Sequence, residues 1–477
     1  MDIKFIDTKA LYLQIYEQFR REILEGVYTA GQRLPPIRKL ASDLGVARNT
    51  VEAAYRQLVQ EGFVSSRTGS GYTVEDLNLN EELFSKSVDE SIGAYSAHER
   101  QLIMSMQKPV CTYTYDFNYG NLEEDAFPSE VWRKLTSDAL HSFEAGGASR
   151  YDDHQGDYLL RLNLVNHLRK SRGVRCFPEQ VIIQAGTPAA IQSVMQLFDP
   201  AIDTVAMEEP GYQGARLAFE QCRFKITPCP IFHGSSLFIR SLARSGARLC
   251  FVTPSNQFPT GAILPMQARL QLLEWARVNE AYILEDDYCH EFRYSAHPVP
   301  SLQSLDTHHR VIYMGTFSTT FSPALRMSYV ILPPELLGQW KEHFQLAHSS
   351  VPWFTQVVMR RFIEQGHWEK LVRRALMRNK QKYETLIAAL QTYLGDKIAL
   401  TENGAGLHVL VQTKDGRSQE ELVELAGEQS VGVYETNRYW ISSHPLKANH
   451  ILVGFSSIKK ADIEPGVQAL KRAWFGE

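Results

Sequence analysis

From about Tyr113 onward, the sequence alternates short, mostly apolar runs with amphipathic stretches. This alternation restricts the fold more than any other feature. Val181-Ile182-Ile183, Thr204-Val205-Ala206-Met207, Leu249-Cys250-Phe251-Val252, Tyr282-Ile283-Leu284 and Val311-Ile312-Tyr313-Met314 read as strands buried on both faces. Such strands, separated by helices, predict an α/β domain built on a mostly parallel sheet. Long helices dominate from about Glu335, and Leu407–Leu410 and Ile451–Val453 return to strand. That return predicts a smaller C-terminal α+β lobe.

The front of the chain has a different period. Leu11, Ile15, Phe19 and Ile23 recur at helical spacing up to Gly26; Ile37, Leu40, Ala41 and Leu44 mark a second helix between Pro35-Pro36 and Gly45. Val51, Ala54, Tyr55 and Leu58 mark a third, ending near Gly62. A β ribbon follows, Phe63–Ser66 and Tyr72–Val74, joined through Gly69-Ser70-Gly71. Helix, helix, turn, helix and wing is the order of a winged helix-turn-helix. We therefore divide the chain into residues 1–76, a polar linker over 77–110 with some helix around Ser96–Met106, and a second domain over 111–477.

The chain as a whole is mildly acidic, with 50 Lys+Arg against 54 Asp+Glu, which excludes a globally basic coat for nucleic acid. Between Arg33 and Thr73 the balance reverses. Arg33, Arg38, Lys39, Arg48, Arg56 and Arg67 stand against Asp43, Glu52 and Glu61, as a phosphate-facing surface requires. A recognition helix enters the major groove by its N-terminal end, and here that end carries Arg48, Asn49 and Thr50. Arginine can fork to guanine or phosphate, and asparagine can pair with adenine. Double-stranded DNA is the expected partner, contacted by Arg33, Arg38, Lys39, Arg48, Asn49, Thr50 and Arg67.

In the second domain, polar motifs follow successive strands, and in an open α/β sheet such motifs converge on one crevice. They are Gly186-Thr187, Glu209-Pro210-Gly211-Tyr212, Thr253 to Gly261 with Asn256, Glu285-Asp286-Asp287-Tyr288, and Gly315-Thr316-Phe317-Ser318 continuing to Arg326. The set suits pyridoxal 5′-phosphate. Asp286 would pair the pyridine nitrogen and Tyr212 would stack on the ring. Tyr288 and Asn256 would donate to the ring oxygen. Gly186, Thr187, Thr316, Ser318 and Arg326 would hold the phosphate.

The front-end string Gly31-Gln-Arg-Leu-Pro-Pro-Ile-Arg-Lys-Leu-Ala41, with Leu44 to Val51, resembles the GntR family of winged-helix regulators. Pro36 stands where that pattern has serine, and a hydroxyl helix cap is lost there. The rear motifs resemble fold-type I aminotransferases. Together the two halves resemble the MocR/GabR family of transcription regulators, with the tightest motif match to the GabR type over Pro254–Phe292 and Tyr313–Pro334. The resemblance implies a DNA-binding regulator whose aminotransferase-like domain senses an amino compound, vitamin B6 or both, working as a head-to-tail homodimer. It also implies a lysine directly after Gly-Thr-Phe-Ser, and here Thr319 stands instead.

A threonine cannot form an imine with the cofactor. The expectation is pyridoxal 5′-phosphate bound non-covalently or as an external aldimine, with transaminase activity weak or absent. The alternatives are an aminotransferase with residual activity and a regulator with a cofactor-free pocket. Arg438 matches the family position that clamps the effector carboxylate. Gln213-Gly214 replace the arginine that other members carry there, with Arg216 nearby as a second effector-binding candidate. The six cysteines form no C-x-x-C pair, so neither a zinc ribbon nor a redox motif is expected. The start lacks a signal pattern, and no apolar run approaches the roughly 20 residues of a membrane helix. A cytoplasmic location is expected.

Overall fold

The structure is a computed structural model that describes residues 10–67, 71–77, 99, 101–103, 113–141, 151, 153–231, 235–294, 299–401, 404–442 and 450–476. The chain forms two compact units, Met1–Val110 and Cys111–Glu477.

The first unit contains α1 (Leu11–Leu24), α2 (Ile37–Leu44), α3 (Arg48–Gln60) and the antiparallel pair β1 (Val64–Arg67) and β2 (Gly71–Val74). The apolar stripes read from the sequence meet in one core. Ile15, Phe19 and Ile23 of α1 and Val51, Ala54, Tyr55 and Leu58 of α3 are buried there with Leu40, Val64 and Val74. Tyr55 occupies its centre. Its ring meets Phe19 and Tyr72 edge-on, at 5.4 and 5.0 Å between centroids. Its hydroxyl donates to the Pro35 carbonyl at 3.0 Å, which satisfies the polar atom the ring carries into the core. The N-cap of α2 is Pro36, with no side-chain hydrogen bond. Of the linker, Leu77, Glu99 and residues 101–103 are described, and Glu99 and 101–103 are helical; the rest lies outside the described residues.

The second unit is built on a seven-stranded sheet of order β4-β10-β9-β8-β7-β5-β6. Its strands are β4 (Val181–Gln184), β5 (Thr204–Glu209), β6 (Lys225–Pro230), β7 (Leu249–Val252), β8 (Tyr282–Asp286), β9 (Val311–Thr316) and β10 (Ser328–Ile331). Pairings from β6 through β9 are parallel, while β10 runs antiparallel to both β9 and β4. The expected strands fall on β4, β5, β7, β8 and β9. Two more complete the sheet. β6 contains Pro228 and Pro230, which proline's missing N–H confines to an edge, and β6 is one of the two edge strands. β10 is 4 residues long, as β4 and β7 are, and was not among the strands expected from the sequence.

Helices cover both faces. One core contains Leu160, Leu164 and Phe362, and others contain Ile191, Phe219, Leu272 and Trp275. The C-terminal lobe is a four-stranded antiparallel sheet, β11 (Ile398–Thr401), β12 (His408–Thr413), β15 (His450–Gly454) and β14 (Tyr434–Glu435), in that spatial order. The long helix His367–Tyr393 and the helix Lys460–Phe475 supply Leu386, Leu390, Val467 and Leu470 to this lobe's core. Strand β3 (Tyr115–Asp116) pairs in parallel with β13 (Val431–Gly432), which draws the segment after β3 toward the crevice. Among the described residues, no helix is long and apolar enough to cross a membrane.

Candidate functional site

In the first unit, α3 presents Arg48 and Asn49 exposed at its first turn, with Thr50 half-buried. Arg33, Arg38 and Lys39 are exposed as well. Among the described residues none of these four cations is in an ion pair, whereas Arg56 is held by Glu52 at 3.3 Å. The unpaired cations are therefore open to a polyanion. Arg67 ends β1; its side chain lies outside the description.

In the second unit, the strand-end motifs meet at one cavity of about 190 Å³. Thr187, Tyr212, Asp286, Tyr288, Thr316, Ser318, Thr319 and Arg326 line it, so seven of the nine residues proposed for the cofactor share one wall. The other two stand directly behind. Gly186 is the N-cap of the helix Thr187–Met195, at φ +92°, and a Cβ there would fall inside the Arg326 guanidinium. Only glycine gives this backbone conformation and this close approach together. The Asn256 amide donates to the Tyr288 hydroxyl, and that hydroxyl donates to the Asn256 carbonyl, both at 3.0 Å.

Tyr119, Gly120, Pro188, Thr253, Phe258 and Pro323 complete the lining. Pro188, Thr253, Phe258 and Pro323 fall within or beside the motifs of the sequence analysis, which gave them no role, and Tyr119 and Gly120 lie outside those motifs. Tyr119-Gly120 follow β3, and the β3–β13 pairing, together with the Gly454 N–H donating to the Phe117 carbonyl and the Asn118 amide donating to the Tyr434 hydroxyl, brings them close, which no local pattern announces. Gly214 lies behind Tyr212 without lining the cavity, and a Cβ there would collide with the Tyr212 ring.

The three acids closing β8 face three environments. Glu285 accepts from the N–H groups of Leu302 and Gln303 at 2.7 and 2.9 Å, capping a short helix. Asp287 accepts from Arg172 and from the Tyr313 hydroxyl, each at 2.7 Å. Burial alone would raise its carboxyl, but Arg172, then His290 and Tyr313, hold it below the usual carboxylate range. Asp286 lies between them and faces the cavity. It is buried, and its Oδ1 has no hydrogen-bond partner. Burial, then the charges of Asp287 and Glu208, push it up to about 8. A buried carboxyl with no donor is costly unless a ligand supplies one.

Thr319 lines the cavity, and its hydroxyl donates to the Tyr288 carbonyl at 2.7 Å. No lysine is among the lining residues. The two effector candidates lie outside the lining. Arg438 is exposed, its guanidinium donating to the Tyr439 hydroxyl at 3.0 Å. Arg216 donates to the Trp440 carbonyl at 3.0 Å. Glu209 accepts from the N–H groups of Ile441 and Ser442. Arg216 and Glu209 thus strap the segment after Arg438 to the β5 end, where Tyr212 stands.

Residues 11–74 match the family of bacterial regulatory proteins of the gntR type. The chain is 35% identical over 466 residues to the HTH-type transcriptional regulator YdeL of Bacillus subtilis (strain 168), covering 97% of this chain and 96% of that protein. It is 34% identical over 469 residues to the probable rhizopine catabolism regulatory protein MocR of Rhizobium meliloti, covering 97% and 94%. Among solved structures, it is similar to LysN, an α-aminoadipate aminotransferase from Thermus thermophilus complexed with N-(5′-phosphopyridoxyl)-L-leucine. That match has a TM-score of 0.68 and 25% identity, and covers 82% of this chain and 99% of that one.

Proposed function

The chain belongs to the MocR family of DNA-binding transcription regulators, a GntR-type head joined to an aminotransferase-like domain, and from that premise we propose that its second domain holds pyridoxal 5′-phosphate reversibly, with no covalent anchor, as the sensor of an amino compound or of the vitamin itself. The observation that carries this reading is Asp286. It is a buried carboxyl without a donor, aimed into a cavity whose other walls are Tyr212, Tyr288 and the Gly186–Arg326 cradle.

The residues fit the group. Asp286 would accept from the protonated ring nitrogen, and Tyr212 would lie against the ring. Tyr288 and Asn256 would turn their mutual hydrogen bonds toward the ring oxygen. Thr187, Thr316, Ser318 and Arg326 would hold the phosphate at the N-terminus of the helix Thr187–Met195. When bound, pyridoxal phosphate supplies an aldehyde that condenses reversibly with amines. Thr319 supplies no amine to retain it and no base to move a proton, so the chain works as a regulator rather than a transaminase.

We assign the effector carboxylate to Arg438 and give Arg216 the task of holding the segment that carries it. The motif match over Pro254–Phe292 and Tyr313–Pro334 favours the GabR type within the family. Two heads on a head-to-tail homodimer read paired half-sites in the major groove through Arg48, Asn49 and Thr50, with Arg33, Arg38, Lys39 and Arg67 on phosphates. The protein acts in the cytoplasm, where its DNA is.

Absorbance titration of the purified chain with pyridoxal 5′-phosphate tests the reading. Saturable binding that gel filtration reverses, and that Asp286→Asn weakens, is expected. Absence of binding refutes it and leaves a cofactor-free sensor on the same DNA-binding head.

A further inference from the structure

Thr319 has a second cavity on it. This one, of about 250 Å³, lies between the loop after β9, the start of the helix Ser129–His141 and the helix His367–Tyr393, and Thr319 lines both it and the cofactor pocket. We infer that it is a separate binding site for a small zwitterion with an apolar chain, an aliphatic α-amino acid, which lies across Thr319 from the cofactor pocket.

The charges in the wall carry the argument. The wall's Glu123, Asp125 and Arg378 are already spent on one another and on Lys382 behind them. Glu123 is paired with Lys382 at 2.7 Å and with Arg378 at 3.5 Å, and Asp125 with Arg378 at 2.7 Å. What is left is one charge of each sign. Arg374 and Glu130 both line the cavity, and among the described residues neither is in an ion pair or a hydrogen bond. Deeper in, one buried polar side chain lacks a partner: Thr320 is 4% exposed, its Oγ1 without a hydrogen bond among the described residues. Buried polar groups are ordinarily satisfied, so this hydroxyl, in a wall that also carries an unpaired cation and anion, marks a place for a polar guest.

The guest has both signs. A carboxylate meets Arg374 and the Asn379 amide, an ammonium meets Glu130, and Phe127, Leu371 and Phe292 give the chain an apolar floor. A molecule lodged there touches Thr319 and so the wall of the neighbouring pocket. This site does not depend on the cofactor reading.

The test is calorimetry on the full chain without added pyridoxal phosphate, using L-norvaline, pentanoate (no amine) and butylamine (no carboxylate). L-Norvaline binds, and each one-charge analogue binds about tenfold weaker or less, the size of one charged hydrogen bond. Arg374→Gln weakens norvaline and leaves butylamine unchanged; Glu130→Gln weakens norvaline and leaves pentanoate unchanged. Both positions are exposed, so neither change disturbs the core, and unaltered circular dichroism and thermal unfolding check that both variants fold. The proposal is overturned if norvaline does not bind, if neither charge variant moves its affinity, or if Asp286→Asn removes its binding instead, which places it in the cofactor pocket. Failure of pyridoxal phosphate to bind overturns the cofactor reading alone.

Discussion

Replacing Asp286 by asparagine gives the most informative perturbation of the pocket. The side chain is 4% exposed, its Oδ1 has no partner, and its ordinary value of 3.8 is raised to about 8. In the unfolded chain this carboxyl ionises near its ordinary value, and in the folded chain near 8. Between the two, the native state holds one more proton than the unfolded state. The stability this confers is complete below about pH 4 and is lost as pH rises through 8, at about 1.4 kcal/mol per pH unit. Glu208 is also raised, to about 7, by burial, so the wild-type profile alone does not isolate Asp286. The difference from Asp286→Asn does, because asparagine keeps the shape and never ionises.

Urea unfolding of cofactor-free protein, followed by circular dichroism, reads this difference. From pH 5 to pH 7 the variant should gain roughly 2–3 kcal/mol on the wild type. Added pyridoxal phosphate should cancel that gain, because its ring nitrogen supplies the missing donor. Parallel stability profiles for the two proteins would refute the assignment of Asp286 as a buried acid awaiting a partner.

Gly186→Ala puts a methyl into the space of the Arg326 guanidinium at a left-handed φ, and should weaken pyridoxal phosphate binding about tenfold or more in the same titration. Arg172→Met leaves Asp287 buried without its cation, and should cost about 3–5 kcal/mol in urea unfolding; a loss under 1 kcal/mol contradicts the network. Arg48→Ala should weaken binding to a duplex selected by the wild-type protein by about 1–3 kcal/mol in fluorescence anisotropy. The same change should leave the pyridoxal phosphate titration untouched. Tyr55→Phe loses the bond to the Pro35 carbonyl, and thermal unfolding should show the head destabilised by about 1 kcal/mol.

The three head helices were legible because each has an apolar stripe at helical spacing and a glycine or proline at its border. Five strands, β4, β5, β7, β8 and β9, were legible because burial on both faces leaves an unbroken apolar run in each. β6 was not, for its prolines, and neither was β10, though it is no shorter than β4 or β7. The pocket was half legible. Asp286, Tyr288, Thr316, Ser318 and Arg326 sit at strand ends, where topology makes residues converge whatever their separation in sequence. Tyr119 and Gly120 reach the pocket through a two-residue parallel pairing, β3 with β13, between segments more than 300 residues apart and without a sequence signature. Nor does a residue string tell which of three consecutive acids faces the ligand. The alternation of β8 decides it, turning Asp286 inward while Arg172 and a helix N-terminus occupy its neighbours.

The central claim is that the pocket is intact and lacks only its anchor. Borohydride reduction of the protein saturated with pyridoxal 5′-phosphate, followed by intact-mass and peptide mass spectrometry, tests it directly when run beside Thr319→Lys. The account predicts no stable adduct on the native chain, and one pyridoxyl group on residue 319 of the variant. A reducible adduct on another lysine of the native chain, or none on the variant despite saturable binding, contradicts it.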